Sequence, residues 1–239
     1  MDTASLPRNS PQEFLGVGFY SVGDAARLLR MPALSIRRWL TGYRFMRKGE
    51  LHEVPPLWVP DLPKVDNTIE LSFRDLIELR FVHQFTRAGV GLKAIRNCLD
   101  YARTIVESDR PFLSSRFRTD GRTIFIESAA KASDDDAVLL DLKRHQYAIK
   151  RVIEQSFQDL DIEADEVARW RPYRGKDTIV LDPERSFGQP IATDSGVPTT
   201  ALAEAVVAEG SAERVAALYE VTIEVVRDAV RFESELRVT

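Results

Sequence analysis

The chain has 239 residues, 44% of them hydrophobic and 29% charged, with a formal net charge of -4 and one cysteine. This is ordinary globular composition for one to three domains; a single Cys98 excludes an intramolecular disulfide, and no apolar run approaches the ~18–20 residues a bilayer span needs. Residues 1–125 carry 19 Lys+Arg against 14 Asp+Glu, net +5, while residues 126–239 carry 14 against 23, net -9, a division that predicts one surface for phosphates and another for protein.

In chain order, Pro7, Asn9, Ser10, Pro11, Gly16 and Gly18 predict a loose arm over residues 1–18. With no apolar stretch of signal-peptide length there, the expectation is a cytosolic protein. Ser21 with Asp24 three residues on has the form of a capping box, and Val22, Ala25, Ala26 and Leu29 follow at helical spacing. Pro32 interrupts the pattern and suits the start of a second helix, whose apolar face is Ile36, Trp39 and Leu40. Between Ala25 and Gly49 lie seven basic residues (Arg27, Arg30, Arg37, Arg38, Arg44, Arg47, Lys48) and no acid. A positive field confined to a helix, tight turn, helix and strand is the footprint expected of a DNA-binding element.

Pro55, Pro56, Pro60 and Pro63 rule out helix through residues 42–70, where Leu57-Trp58-Val59 and residues 68–71 read as short strands. Ser72 caps a helix expected to run to about Ala88; after a Gly-rich break, a further helix spans about Leu92 to Val106 with Cys98 on its buried stripe. Phe117 and Thr119, then Asp120-Gly121, then Thr123 to Ile126 predict a β-hairpin. Residues 132–137 read as a solvated loop or helix start, Ala137 to about Leu160 as a long helix, and residues 163–177 as a polar linker. Residues 178–181 and 189–193 predict two strands joined through an Asp182-Pro183 turn. Three short helices follow, over about 199–208, 211–219 and 222–234, with Ser211 and Thr222 as N-caps.

Two stretches carry family resemblance. Residues 19–40, FYSVGDAARLLRMPALSIRRWL, with residues 71–106, including the Gly-Val-x-Leu break and Ile-Arg, resemble the winged helix-turn-helix of MerR-type regulators. The resemblance implies that the second helix enters a major groove with Ser35, Arg37 and Arg38, and that Arg44, Arg47 and Lys48 approach phosphate from the wing. Two positions depart from the family: its turn glycine is Arg30 here, and its capping Ser or Thr is Pro32. Trp39 reads as core. Residues 178–232 resemble a small prokaryotic domain often encoded beside toxin genes, through Asp182-Pro183, Gly188-Gln189-Pro190-Ile191, Gly196-Val197-Pro198-Thr199 and Val226 to Ala229.

The combination is similar to a VapB-type antitoxin of the large kind. That resemblance implies a PIN-type ribonuclease toxin as partner, operator DNA as a second partner, and a homodimer. A carboxylate-lined toxin site would be met by a basic side chain. Arg169, Trp170, Arg171, Tyr173, Arg174 and Lys176 are the first candidates for that contact, and the tail segment Arg231 to Arg237 the second. No phosphate loop, nucleophile motif or metal-ligand spacing is present; His52, His83 and His145 are far apart, so no enzyme activity, metal or cofactor is expected.

The expected fold is mainly α with short β elements. Its parts are a winged helix-turn-helix over 19–106, a central β-hairpin with long helix and linker over 107–175, and a C-terminal β-hairpin plus three-helix dimerisation or toxin-binding domain over 176–239. Rival readings are a stand-alone MerR-like regulator with a ligand pocket between residues 107 and 175, and a protein-binding scaffold that does not touch DNA.

Overall fold

The structure, a computed structural model, describes residues 16–66, 68–131 and 136–237, with backbone alone for 136–145. Most of the expected arm (1–15), residues 132–135 of the expected loop, and the His145 side chain lie outside what is described. The described residues are mainly helical with short antiparallel strands.

The N-terminal unit opens with β1 (Tyr20–Ser21), α1 (Val22–Leu29) and α2 (Ala33–Thr41), then β2 (Tyr43–Arg47), β3 (Glu50–Val54) and β4 (Glu70–Leu71). β1 pairs with β4, and β2 with β3. The expected strand at 57–59 is absent. Leu57 and Trp58 are instead buried in irregular backbone, Leu57 N donating to Trp39 O at 2.7 Å and Trp58 Nε1 to Asp75 Oδ1 at 2.8 Å. The neighbouring prolines explain this, since a ladder needs the N–H groups they lack. The expected strand at 68–71 contracts to Glu70–Leu71.

Next come α3 (Phe73–Arg87) and α4 (Leu92–Val106), α3 starting from a complete Ser72–Asp75 capping box. α3 is buried on nearly every side, including Asp75, Glu78 and Arg80. Helices with so little exposed face lose amphipathic contrast.

The predicted hairpin at 117–126 is wrong: these residues belong to α5 (Ser115–Lys131), which packs on α6 (Asp136–Ser156). The buried positions of α5 are Phe117, Gly121, Ile124, Phe125, Ser128 and Ala129, spaced by four, three, one, three and one. That is a helical period, and it overrides the local turn preference of Asp120-Gly121. Gly121 has a packing reason: a Cβ there would lie 2.9 Å from Ile153 Cδ1 and 3.1 Å from Phe117 Cζ. Phe81, Phe85, Phe112, Phe117, Phe125 and Phe157 form an aromatic nest at this junction, with Phe112 and Phe117 centroids 4.6 Å apart.

The expected linker is also folded. β5 (Leu160–Glu163) and β6 (Glu166–Trp170) form a hairpin around Ala164-Asp165, both at positive φ, and continue into β7 (Ile179–Leu181) and β8 (Pro190–Ala192) as one antiparallel sheet, order β5-β6-β7-β8. The predicted tail strands are therefore half of a sheet that crosses the suggested boundary at residue 176. Alternation is hard to read in strands of three to five residues, and Asp161, Glu163, Arg169 and Arg171 pair with each other across the hairpin. α7 (Thr199–Glu209), α8 (Ala212–Leu218) and α9 (Ile223–Arg237) complete the chain close to their expected bounds, with Ser211 as N-cap and Gly210 left-handed at φ 67°.

Three cores result. The largest joins the N-terminal unit, α3–α6 and the sheet; a second lies within α7–α9; a third joins Tyr173, Ile179, Phe232 and Leu236, with Leu28 of α1 packed against it.

Candidate nucleic-acid interface

α1 begins at the predicted capping box, Ser21 Oγ accepting from Asp24 N at 3.1 Å, and buries Val22, Ala25 and Leu29. The turn to α2 keeps its geometry without glycine. Arg30 takes the left-handed conformation, φ 52° and ψ 50°, and Met31 N closes the turn onto Ala26 O at 3.0 Å. A non-glycine residue there carries a cost of about 1 kcal/mol. Its guanidinium reaches Glu235 of α9 at 2.9 Å. Pro32 is the N-cap of α2 and supplies no side-chain acceptor; Ser35 N donates to Pro32 O at 2.9 Å, which leaves the N–H groups of Ala33 and Leu34 for solvent or an anion.

Ile36, Trp39 and Leu40 turn α2 inward, confirming Trp39 as core, while Arg37, Arg38 and Thr41 are exposed and Ser35 is half-buried. α2 ends at Gly42, φ 70°, where a Cβ would fall 2.4 Å from Val54 O; only glycine admits the hairpin so close behind the helix. β2 and β3 pair in register from Tyr43↔Val54 to Arg47↔Glu50 across the two-residue loop Lys48-Gly49, both at positive φ (52° and 84°). That loop geometry matches the twist of a tight hairpin. Phe45 stacks on His52 with centroids 5.2 Å apart, which stiffens the hairpin from one face.

The seven basic residues of this segment separate into two groups. Arg27 and Arg30 are tied back to Asp24 and Glu235, and Arg44 pairs with Glu53 at 3.1 Å. Both partners in that last pair are about two-thirds exposed, so the contact is worth under about 1 kcal/mol and a phosphate could displace it. Arg37, Arg38, Arg47 and Lys48 are exposed and have no carboxylate partner among the described residues. Arg38 lies 5.5 Å above the Tyr43 ring, a contact that links the helix to the hairpin and orients the guanidinium. Tyr43 was not among the expected residues; its place one residue past Gly42 was the available signal.

The cluster at 169–176 is not the flexible basic strip expected. Trp170 and Tyr173 are buried at 5% and 2% exposure. Arg169 and Arg171 converge on Asp161, with Arg169 also on Glu163 and Arg171 Nη2 at 2.8 Å from Asp161 Oδ2. Burial pushes the Asp161 carboxyl up, but the Arg171 and Arg169 hydrogen bonds outweigh it and hold it below its ordinary value. Arg174 pairs with Glu235, and Lys176 with Glu224 and Asp228, the latter at 2.8 Å. All four cations are internally matched. Arg231 and Arg237, on the outward side of α9, are exposed and have no carboxylate partner among the described residues.

Asp182 is the turn residue expected: Glu184 N donates to its Oδ1 at 3.0 Å. Gly188, φ 78°, brings backbone against the N-terminal unit, where Tyr20 Oη donates to Gly188 O at 2.6 Å and Phe19 N to Phe187 O at 2.9 Å. Sequence reading missed this seam between α1 and the tail. It missed as well a buried ionic knot in which Arg110 binds Asp61 Oδ1 at 2.6 Å and Asp75 Oδ1 at 2.8 Å. Among the described residues no group of three or more His, Cys, Asp or Glu is arranged to hold a metal, and no helix is long and apolar enough to cross a membrane. Cys98 is buried as expected, and burial, with Glu78 nearby, pushes its thiol well up.

No protein-family model matches the chain. It is 29% identical over 226 residues, covering 90% of this chain and 93% of the relative, to a Mycobacterium tuberculosis (strain ATCC 25618 / H37Rv) protein named "Putative antitoxin VapB45". Among solved structures, the X-ray crystal structure of Rv2018 from Mycobacterium tuberculosis matches with a TM-score of 0.68 and 23% identity, over 90% of this chain and 99% of that one. The likeness of fold thus extends over nine-tenths of this chain.

Proposed function

We propose that this chain is the antitoxin of a type II toxin–antitoxin system. In this reading it neutralises a PIN-type ribonuclease toxin by direct binding and represses its own operon through the N-terminal winged helix-turn-helix, as a cytoplasmic homodimer. The toxin half rests on the near full-length likeness to a protein named as an antitoxin. The DNA half rests on one observation: the unpaired cations of the segment, Arg37, Arg38, Arg47 and Lys48, all lie on the exposed side of α2 or on the hairpin behind it. A dimer presents two such units, which calls for an operator with two-fold symmetry.

For the toxin contact we favour Arg231 and Arg237 over the 169–176 cluster. A side chain that enters a carboxylate-lined site must leave any partner it already has, and the four cations of that cluster would each break an ion pair. Arg237 also borders a groove between α7 and α9 lined by Ala203, Val207 and Val230 together with Glu204, Glu233 and Ser234.

The test is purification of the tagged chain from its native cytosol with nuclease treatment, followed by intact-mass analysis and sizing. A stoichiometric small ribonuclease is expected. Arg231→Ala with Arg237→Ala should release its activity, whereas Arg169→Ala should not. Recovery of a bare homodimer while the neighbouring gene is expressed would reject the antitoxin reading.

A further inference from the structure

Phe45, Met46 and Leu51, all exposed apolar side chains, belong to the β2–β3 hairpin. Neighbours in a strand point to opposite faces, so Phe45 with His52 takes one face and Met46 with Leu51 the other. Phe45 is stacked on His52, but Met46 and Leu51, directly opposite in the register, are each 64% exposed. Side chains so paired lie within reach of each other and form one apolar ridge. On its own face the ridge lies between the Arg44–Glu53 pair and the Lys48-Gly49 loop, and Arg47 follows Met46 in the strand.

Two side chains are too little to hold a protein, since a stable interface buries about 800 Å² on each partner. The surroundings of the ridge set the chemistry of what covers it. Arg47 and Lys48 have no carboxylate partner among the described residues, and the Arg44–Glu53 pair is exposed enough for a phosphate to displace it. A DNA duplex supplies both counterparts: phosphates for the cations, and base faces for the ridge once a step is opened. Leu, Met and Phe inserted between base pairs from the minor groove act in this way and kink the duplex. The hairpin is also stiff enough to insert. The Phe45–His52 stack braces the reverse face, and Arg38, 5.5 Å from the Tyr43 ring, anchors the base of the hairpin to α2. At ~3.4 Å per residue, Met46 projects about 10 Å from that anchor.

We propose that Met46 and Leu51 form a wedge that enters the minor groove beside α2, opens one base step and bends the duplex. The inference rests on the DNA-binding reading above and extends it. At the wedge the protein reads deformability rather than base edges, and so favours a pyrimidine–purine step, which unstacks most easily.

The full-length protein is titrated against duplexes tiled across the DNA upstream of its own gene. The tightest binder then carries fluorophores at both ends, where energy transfer reads bending, and a fluorescent adenine analogue at successive steps, where emission reads unstacking. The parent is expected to bend this duplex by an angle in the roughly 20–90° range of apolar wedges, and to unstack one step in each half-site. Met46→Ser with Leu51→Ser, at exposed positions outside the cores, should abolish the bend and lower affinity about tenfold. The salt slope of this variant should match the parent's, because no cation is lost. Met46→Leu with Leu51→Met keeps an apolar ridge and should keep the bend. A parent that binds selectively without bending or unstacking overturns the wedge and leaves the DNA-binding reading standing, as does a serine variant that bends the duplex like the parent. Loss of a co-purified protein from the serine variant, with bending intact, reassigns the ridge to that protein. A parent that binds no duplex selectively overturns both the wedge and the DNA-binding reading.

Discussion

At the scale of single residues, what distinguishes one arginine from another here is its partner. The basic run between Ala25 and Gly49 looks uniform in sequence, but Arg27 pairs within α1 with Asp24 and Arg30 ties the unit to Glu235 of α9, while Arg37 and Arg38 face outward. Arg37→Ala and Arg38→Ala are each expected to weaken operator binding, by about 1–3 kcal/mol where the lost contact reads a base. Lys48→Ala should instead lower affinity evenly across sequences and flatten its salt dependence by about one unit of slope. Titrations of operator and scrambled duplex at several salt concentrations separate the two. Unchanged affinity in a folded Arg37/Arg38 double variant would remove these residues from the interface. The basic residues of 169–176 illustrate the converse. Their charge was visible in sequence, but the carboxylates that match them come from as far away as Glu224, Asp228 and Glu235, and only folding reveals that pairing.

Among the elements, α5 shows local and tertiary preferences in conflict. Asp120-Gly121 between β-prone residues is a turn signal, yet Phe117, Gly121, Ile124, Phe125 and Ser128 make a helical stripe that packs on α4 and α6. The stripe wins because burying aromatic side chains is worth several kcal/mol, against about 1 kcal/mol for one helical glycine. Gly121→Val should therefore destabilise by about 1–3 kcal/mol through overpacking. Ile153→Val, which removes the Cδ1 atom facing Gly121 at 2.9 Å from an added Cβ, should recover part of that loss. A double-mutant cycle by urea denaturation measures the coupling, and simple additivity would show that α5 and α6 do not meet at this point.

For the whole molecule, the centre is polar as well as aromatic. Glu78 is 1% exposed, Oε1 accepting from Phe112 N at 3.3 Å and Oε2 having no partner among the described residues. Burial pushes its carboxyl up to about 8, with Arg110 opposing. The ordinary value is 4.5, so between these limits the folded chain holds a proton that the unfolded chain has released. Stability from this group is full below about pH 4.5 and declines until pH passes about 8, a loss on the order of 5 kcal/mol. Glu78→Gln should leave stability nearly unchanged in acid and raise it increasingly toward pH 8. Denaturant midpoints across that range check this, and parallel curves for parent and variant would contradict it. The tail is equally part of the whole. Tyr20, Leu28 and Arg30 of the N-terminal unit touch Gly188, Phe232 or Leu236, and Glu235, so any movement of α1 relative to α9 breaks named contacts.

The amino-acid sequence by itself determined the local elements whose signals are short-range. The capping box at Ser21, the helix cap at Ser72, the two helices of the N-terminal motif, α4 and the three tail helices could all be read, because a cap and a 3.6-residue stripe are complete within one turn or two. The basic segment was legible for the same reason: charge needs no neighbour to be counted. Tertiary structure alone decided that α5 is a helix, that the supposed linker is half of a four-stranded sheet, and which cations remain free. Each of those outcomes depends on a partner distant in sequence, and the energy of burial or pairing belongs to the contact, not to either residue.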